Sequence, residues 1–146
     1  MATALDANIL LRFTQESHPE HDLTLRAVTQ LEEENETLCL LPQNLVEYRC
    51  VATRPTTARG GFGLTPTEAD LQIQLLESMF ILVSDTSAIH PEWRQIVMQY
   101  GVSGLQVYDA RIAACLRVHG ITRLLTFNTK DFARYSGFDA VDPAQV

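Results

Sequence analysis

Asp6, Glu47, Asp109 and Asp131 each stand where a strand-like run ends or a helix-like one begins, and carboxylates so placed could share a divalent cation. Mg²⁺ and Mn²⁺ prefer oxygen ligands, a Mg²⁺ site keeps several waters, and one such water can be activated to attack a phosphodiester. Without a cation, two carboxylates about 4 Å apart repel by roughly 4 kcal/mol at an effective dielectric near 20. A cluster of them therefore demands a cation, raised pKa values or salt bridges, for which Arg49 and Arg111 are the nearest candidates in the chain. Each acid also has a purely structural reading. Asp6 can cap the helix that begins near Ala7, Asp109 can answer a helix dipole for a few tenths to about 1 kcal/mol, and Asn128-Thr129-Lys130-Asp131 can be a cap with its partner. Glu47 fits such a reading least: it stands among Leu45, Val46, Tyr48, Cys50 and Val51, where an unpaired carboxylate is costly to bury.

The elements that must position these acids alternate along the chain. The apolar run Thr3-Ala4-Leu5 reads as a buried parallel strand, Asn8 to Phe13 as a short helix, and His18 to Glu34 as a longer one with Leu23, Leu25, Val28 and Leu31 apolar. Leu38 to Leu41 is a four-residue strand, and Pro42 sits where a first helical turn tolerates it, leading into a helix over Gln43 to Thr53. Arg54-Pro55 ends that helix, and Thr56 to Gly63 is a loose glycine-rich loop. Thr65-Pro66-Thr67-Glu68 combines a capping-box pattern with proline at the first helical position, predicting a helix from Pro66 to Ser78 with residues 69, 73, 76 and 80 facing the core.

The spacing further predicts a strand over Phe80 to Val83, a helix from Pro91 to Tyr100 ended by Gly101, and a helix over Val107 to Val118 ended at His119-Gly120. A strand over Arg123 to Phe127, a helical turn over Lys130 to Tyr135 and an edge strand over Asp139 to Asp142 complete the chain. Such alternation implies a mostly parallel sheet with helices on both faces, and in open sheets of that kind ligands bind beyond the carboxyl ends of the strands. Four separate segments can thus each deliver one carboxylate to the same sheet edge.

Composition narrows the reading. The 146 residues, 46% hydrophobic and 20% charged with mean hydropathy of -0.02, suit one domain spanning 1–146 with a full core. No basic segment leads into an apolar run at the N-terminus and no stretch of about 18 apolar residues occurs, so we expect a cytoplasmic protein without membrane association. Cys39, Cys50 and Cys115 lie in apolar contexts without ligand-like spacing and read as reduced core residues, which argues against zinc. Net charge of -7 and a pI near 4.9 count against a plain RNA-binding module, because any nucleic-acid contact must be local. Lys130 is the only lysine among 11 basic residues. Local phosphate contacts are expected from among Arg12, Arg49, Arg54, Arg59 and Arg111.

Four segments carry a family resemblance: Leu5-Asp6-Ala7-Asn8, Asn44-Leu45-Val46-Glu47-Tyr48, Tyr108-Asp109-Ala110-Arg111-Ile112-Ala113, and Leu125-Thr126-Phe127-Asn128-Thr129-Lys130-Asp131-Phe132. In order and separation they resemble the signature segments of PIN domains, especially the VapC-type toxin ribonucleases. The resemblance implies a three-layer α/β/α sandwich, a Mg²⁺ or Mn²⁺ site made of carboxylates, endonucleolytic hydrolysis of RNA and a homodimer held by an antitoxin. It puts Asp6, Glu47, Asp109 and Asp131 at the family's acidic positions, with Asn8, Thr126 and Asn128 as polar neighbours. Asn128 replaces an aspartate common among relatives, which removes a negative charge and weighs against a tightly held second metal. Tyr108 stands where histidine is frequent, so no histidine is assigned to the site.

For the antitoxin, the region of the Asn8 to Phe13 helix, the Gln43 to Thr53 helix and the Phe62 loop is the expected groove, and the protein's acidity would favour a basic partner. Two other readings compete. A receiver-type phosphoacceptor domain also has an acidic pocket at strand ends but wants a lysine near the end of a late strand, and Lys130 is the one available. A catalytically inactive PIN-like binding module would have no need of the four acids.

Overall fold

Residues 1–146, the whole chain, are described by a computed structural model. Its strands show why a period of two is needed to cover a sheet on both faces. Ala4, Cys39 and Leu124 contribute to one apolar core, while Leu5, Leu38, Leu40 and Leu125 contribute to another on the opposite side. The strands are β1 (Ala2–Leu5), β2 (Thr37–Leu40), β3 (Ile81–Leu82), β4 (Arg123–Leu125) and β5 (Asp139–Val141), in spatial order β3-β2-β1-β4-β5. Every pairing is parallel, with Ala4 opposite Cys39 on one side and Leu124 on the other.

Helices cover both faces, as a parallel sheet requires. Ile9 and Leu10 of α1 (Ala7–Thr14), Val28 and Leu31 of α2 (His21–Glu33), Leu45 and Tyr48 of α3 (Pro42–Ala52) and Leu76 of α4 (Pro66–Met79) build one core. Ile89 and Ile96 of α5 (Ile89–Tyr100), Ile112 and Leu116 of α6 (Gln106–His119) and Phe132 of α7 (Thr129–Phe132) build the other. The result is the expected three-layer α/β/α sandwich. No helix is long and apolar enough to cross a membrane.

The element order follows the expectation, and the shifted boundaries have local causes. The second helix begins at His21, not His18, because Pro19 excludes His18 from helical geometry. In α2 it is Thr24, Ala27, Val28 and Leu31 that are buried, whereas Leu25 is exposed; the Thr24 hydroxyl is satisfied by the Glu20 carbonyl at 2.9 Å. Phe80 is the C-cap of α4, its N–H donating to the Leu76 carbonyl, which leaves β3 only two residues. β4 stops at Leu125 because the Phe127 N–H leaves the ladder for the Asn8 side chain at 3.1 Å. Asp142 caps a terminal 3-10 turn, Pro143–Gln145, and does not extend β5. Gly101 and Gly120 end α5 and α6 at φ of 61° and 65°, the left-handed geometry that the sequence assigned to them. Cys39 and Cys115 are buried as expected, but Cys50 lies exposed on the outer side of α3.

Candidate active site

Strand order reverses between β1 and β4: from β1 the chain moves to β2, and from β4 it moves outward to β5. That reversal opens a crevice at the strands' carboxyl ends, the usual place for a ligand in an open parallel sheet. Asp6 follows β1 and Thr126 follows β4 at matching register, so both enter the crevice from its floor.

Asp6 is 5% exposed and its carboxylate is held by four donors. The Ala7 N–H and Asn44 Nδ2 donate to Oδ1 at 2.8 and 3.2 Å, while Thr126 Oγ1 and Asn8 Nδ2 donate to Oδ2 at 2.7 and 3.3 Å. Asp6 is therefore the cap of α1 and a member of the acidic cluster at once, so the two readings open in the sequence are compatible. Burial pushes its pKa up, the hydrogen bonds from Thr126, Ala7 and Asn8 oppose the rise, and the charge of Asp131 adds to it. Asn8 accepts from the Phe127 N–H and donates to Thr126 Oγ1 at 3.2 Å, and Thr126 Oγ1 accepts the Asn128 N–H at 3.0 Å. The two loops that form the floor are thus pinned to each other.

The remaining acids arrive from three helices. Glu47 lies one turn into α3 and Asp109 in the first turn of α6; together with Asp6, Asn8 and Asn128 they line one small cavity of about 220 Å³ whose apolar wall includes Leu11 and Val51. Burial, then the charge of Asp6, raises the Glu47 pKa, with the Gln43 amide opposing. Asp109 is pushed up to about 6, first by burial and then by the charges of Asp131, Asp6 and Glu47, with Arg134 opposing. A helix N-terminus favours a carboxylate, yet that benefit of at most about 1 kcal/mol is outweighed here. Asp131, on α7, is exposed and does not line this cavity, but its charge raises the pKa of both Asp6 and Asp109. The Asn128 side chain caps nothing, so the local-cap reading of the last segment does not hold.

None of these acids is neutralised by an ion pair. Arg49 is bound to Asp70 at 2.7 Å, Arg111 to Asp85 at 3.4 Å and Arg12 to Glu20 at 3.6 Å, so the salt-bridge alternative for the cluster is not used. Arg54 reaches the Arg59 carbonyl at 3.3 Å and Cys50, beside the glycine-rich loop. Lys130 borders a separate cleft with Tyr135 and Phe138, which removes the lysine a receiver-type pocket needs. The donor set is all oxygen and bears uncompensated negative charge, which fits a hard divalent cation. No three of the carboxylates are drawn close enough to form a finished ligand set, so a bound ion would have to complete the convergence.

Two polar side chains at the site were not singled out from the sequence. Asn44 is fully buried and reaches Asp6, and Gln43 donates to Glu47 Oε1 at 3.0 Å. Their signal was present: Asn44 and Gln43 precede Glu47 by three and four residues, so on a helix all three share a face. An amide such as Asn44, followed directly by Leu45 on a helix that packs into the core, also needs a buried partner.

The PIN domain family model matches residues 3–137. A curated relative, Ribonuclease VapC48 of Mycobacterium tuberculosis, is 26% identical over 145 residues, covering 98% of this chain and 98% of its own. Among solved structures, VapBC2 from Rickettsia felis bound to a DNA fragment from its promoter superposes with TM-score 0.71 at 16% identity, over 97% of this chain and 98% of that one. A toxin-antitoxin complex from Klebsiella pneumoniae gives TM-score 0.66 at 21% identity, over 99% of each chain. With the sheet order, the crevice and the acids at its edge already in place, the family match over nearly the entire chain means that this protein belongs to the PIN domain family.

Proposed function

We propose that the protein is a divalent-metal-dependent endoribonuclease, the toxin of a toxin-antitoxin pair. The observation that carries this reading is the cavity lined by Asp6, Glu47 and Asp109, in which the charge of Asp6 raises the Glu47 pKa, the charges of Asp6 and Glu47 raise that of Asp109, and no ion pair neutralises any of the three. The naming of a relative alike along its full length as a ribonuclease supports the substrate class. Asp6, Glu47 and Asp109 would hold Mg²⁺ or Mn²⁺, with Asp131 adding negative charge and Asn8, Thr126 and Asn128 keeping the floor in shape. The ion would supply positive charge to the phosphoryl oxygens and lower the pKa of water for attack on phosphorus. The site's own residues do the rest: they fix the ion's place, and Leu11 and Val51 exclude solvent from one side.

The partner part of the reading rests on the Klebsiella complex and on a groove in this chain. A cleft of about 510 Å³ runs beside the last turn of α1, with Thr14, Tyr48, Phe62 and Leu64 among its walls, and it lies in the region expected to receive an antitoxin. The reading extends to a homodimer. Leu71, Leu75 and Met79 on α4 and Ile81 and Leu82 on the edge strand β3 are exposed apolar residues that a second copy would cover.

The test is RNA cleavage with Mg²⁺ or Mn²⁺ and with excess EDTA, by wild type, Asp6→Asn and Asp109→Asn. We expect cleavage only by wild type with metal, and full activity in EDTA would refute the assignment. Co-expression with the product of the neighbouring reading frame should yield a complex on size exclusion and suppress cleavage. Separate elution with undiminished cleavage would remove the antitoxin and leave the nuclease.

A further inference from the structure

Glu47 and Asp109 come from opposite layers of the sandwich. The buried residues of α3 belong to the core on one face of the sheet, those of α6 to the core on the other, and no buried side chain of one helix shares a core with the other. Shared packing therefore does not set the distance between these two carboxylates. The charge of Glu47 raises the Asp109 pKa, so nothing electrostatic draws the two carboxylates together either.

One side chain spans the gap. The Gln43 amide nitrogen donates to Glu47 Oε1 at 3.0 Å and to the carbonyl of Tyr108, the residue preceding Asp109, at 2.9 Å. Its carbonyl oxygen accepts from Arg111 Nη1 at 3.3 Å, and Arg111 is anchored in turn to Asp85 at 3.4 Å. An amide has two N–H donors and one carbonyl acceptor, and both ends of Gln43 are engaged across the two layers.

We infer that Gln43 is a positioning residue: it brackets α3 to the first turn of α6 and so sets Glu47 against Asp109 for a shared cation. The inference rests on the metal-site reading above. The choice of an amide is chemically specific. A lysine or arginine at this position would neutralise Glu47 and compete with the cation, whereas a neutral donor orients the carboxylate and leaves its charge in place. Arg111 contributes its charge one bond removed, paired with Asp85, and steadies the bracket without entering the cavity.

The experiment compares wild type, Gln43→Met and Arg111→Met. Gln43→Met keeps the length of the side chain and removes all three hydrogen bonds. Measured by calorimetric titration with Mn²⁺ alone, its Kd should rise by about 10- to 100-fold, the range seen when a group that orients a metal ligand is lost. Melting in EDTA should move by no more than about 2 °C, because Gln43 carries none of the core, and RNA cleavage should fall in kcat at an unchanged KM. Arg111→Met should change the same quantities in the same direction by a few-fold. Wild-type Mn²⁺ affinity in Gln43→Met overturns the inference, as does a drop of more than about 5 °C in EDTA, which would make Gln43 a structural tie. If wild type itself takes up no Mn²⁺ and cleaves no RNA, the metal-site reading fails and the bracket with it. If wild type does both and Gln43→Met matches it, the bracket alone fails.

Discussion

Asp109→Asn should stabilise the metal-free protein at neutral pH, although it removes a residue placed at the centre of the site. The Asp109 carboxyl is carried from its ordinary 3.8 to about 6, by burial first and by Asp131, Asp6 and Glu47 after it. At about 1.36 kcal/mol per pKa unit this corresponds to about 3 kcal/mol. The carboxyl is partly open to water, and screening reduces that to about 1–2 kcal/mol. The sign follows from the pKa being higher in the folded than in the unfolded chain. The stability linked to the protonated form is fully present below 3.8 and is lost as pH rises through about 6. Asparagine does not titrate, so the variant lacks this loss. For a chain of this length about 1 kcal/mol moves melting by roughly 2–4 °C, so Asp109→Asn should melt about 2–8 °C above wild type at pH 7.5 in EDTA. The gap should close toward pH 4. With Mn²⁺ at about 100 times Kd the order should reverse, because wild type gains roughly 2.7 kcal/mol that the variant gains only weakly. Calorimetric melts at the two pH values, with EDTA and with Mn²⁺, supply all the comparisons. An Asp109→Asn protein that melts at or below wild type at pH 7.5 without metal would refute the claim that the carboxylates repel.

Thr126→Val keeps the shape of the side chain but deprives Asp6 Oδ2 of its 2.7 Å donor and the Asn8 and Asn128 donors of their acceptor. It should cost about 1–3 kcal/mol in urea unfolding and raise the Asp6 pKa further, read from the carboxyl carbon shift on titration. Leu124→Ala removes a fully buried side chain from the middle of β4 and should cost about 2–5 kcal/mol by the same unfolding measurement, with the metal affinity of the folded fraction unchanged.

The parts of the fold that were legible from sequence are those where a local rule and the tertiary structure demand the same thing. Thr65 caps α4 and Pro66 opens it because both the cap hydroxyl and the fixed proline φ serve that one turn. Gly101 and Gly120 end helices for an equally local reason. Strand ends were less legible because they are set by partners far away in sequence: β4 yields to the Asn8 side chain, and β3 is shortened by the last turn of α4. The same division runs through the site. A carboxylate at the end of an apolar run, as Asp6 is, or at the start of a helix, as Asp109 is, is visible in one dimension. That Asn44 turns toward Asp6, 38 residues away, depends on α3 and β1 being adjacent. Cys50 was misplaced because apolar neighbours in sequence do not say which side of a helix a residue occupies, and α3 turns Val46 and Cys50 outward together.

Charge imposes an order of events on the proposed reaction. The protein bears a net charge of -7 and its crevice is lined by carboxylates, so a polyanion approaching the bare site meets repulsion both at long range and at contact. Of the arginines that the sequence offered for phosphate contact, Arg12, Arg49 and Arg111 are each paired with an acid, and only Arg54 and Arg59 are without an ion pair. Arg134 is the cation whose field reaches Asp109, and it too is exposed and bonded to Gln106. On the proposed reading RNA would therefore be accepted only once Asp6, Glu47 and Asp109 held a cation, which would offset the repulsion at the crevice. Without one, the acidic site would disfavour phosphodiesters. It would also accept, in place of the ion, a single basic side chain delivered by a partner, and one arrangement of carboxylates can thereby serve both cleavage and its inhibition.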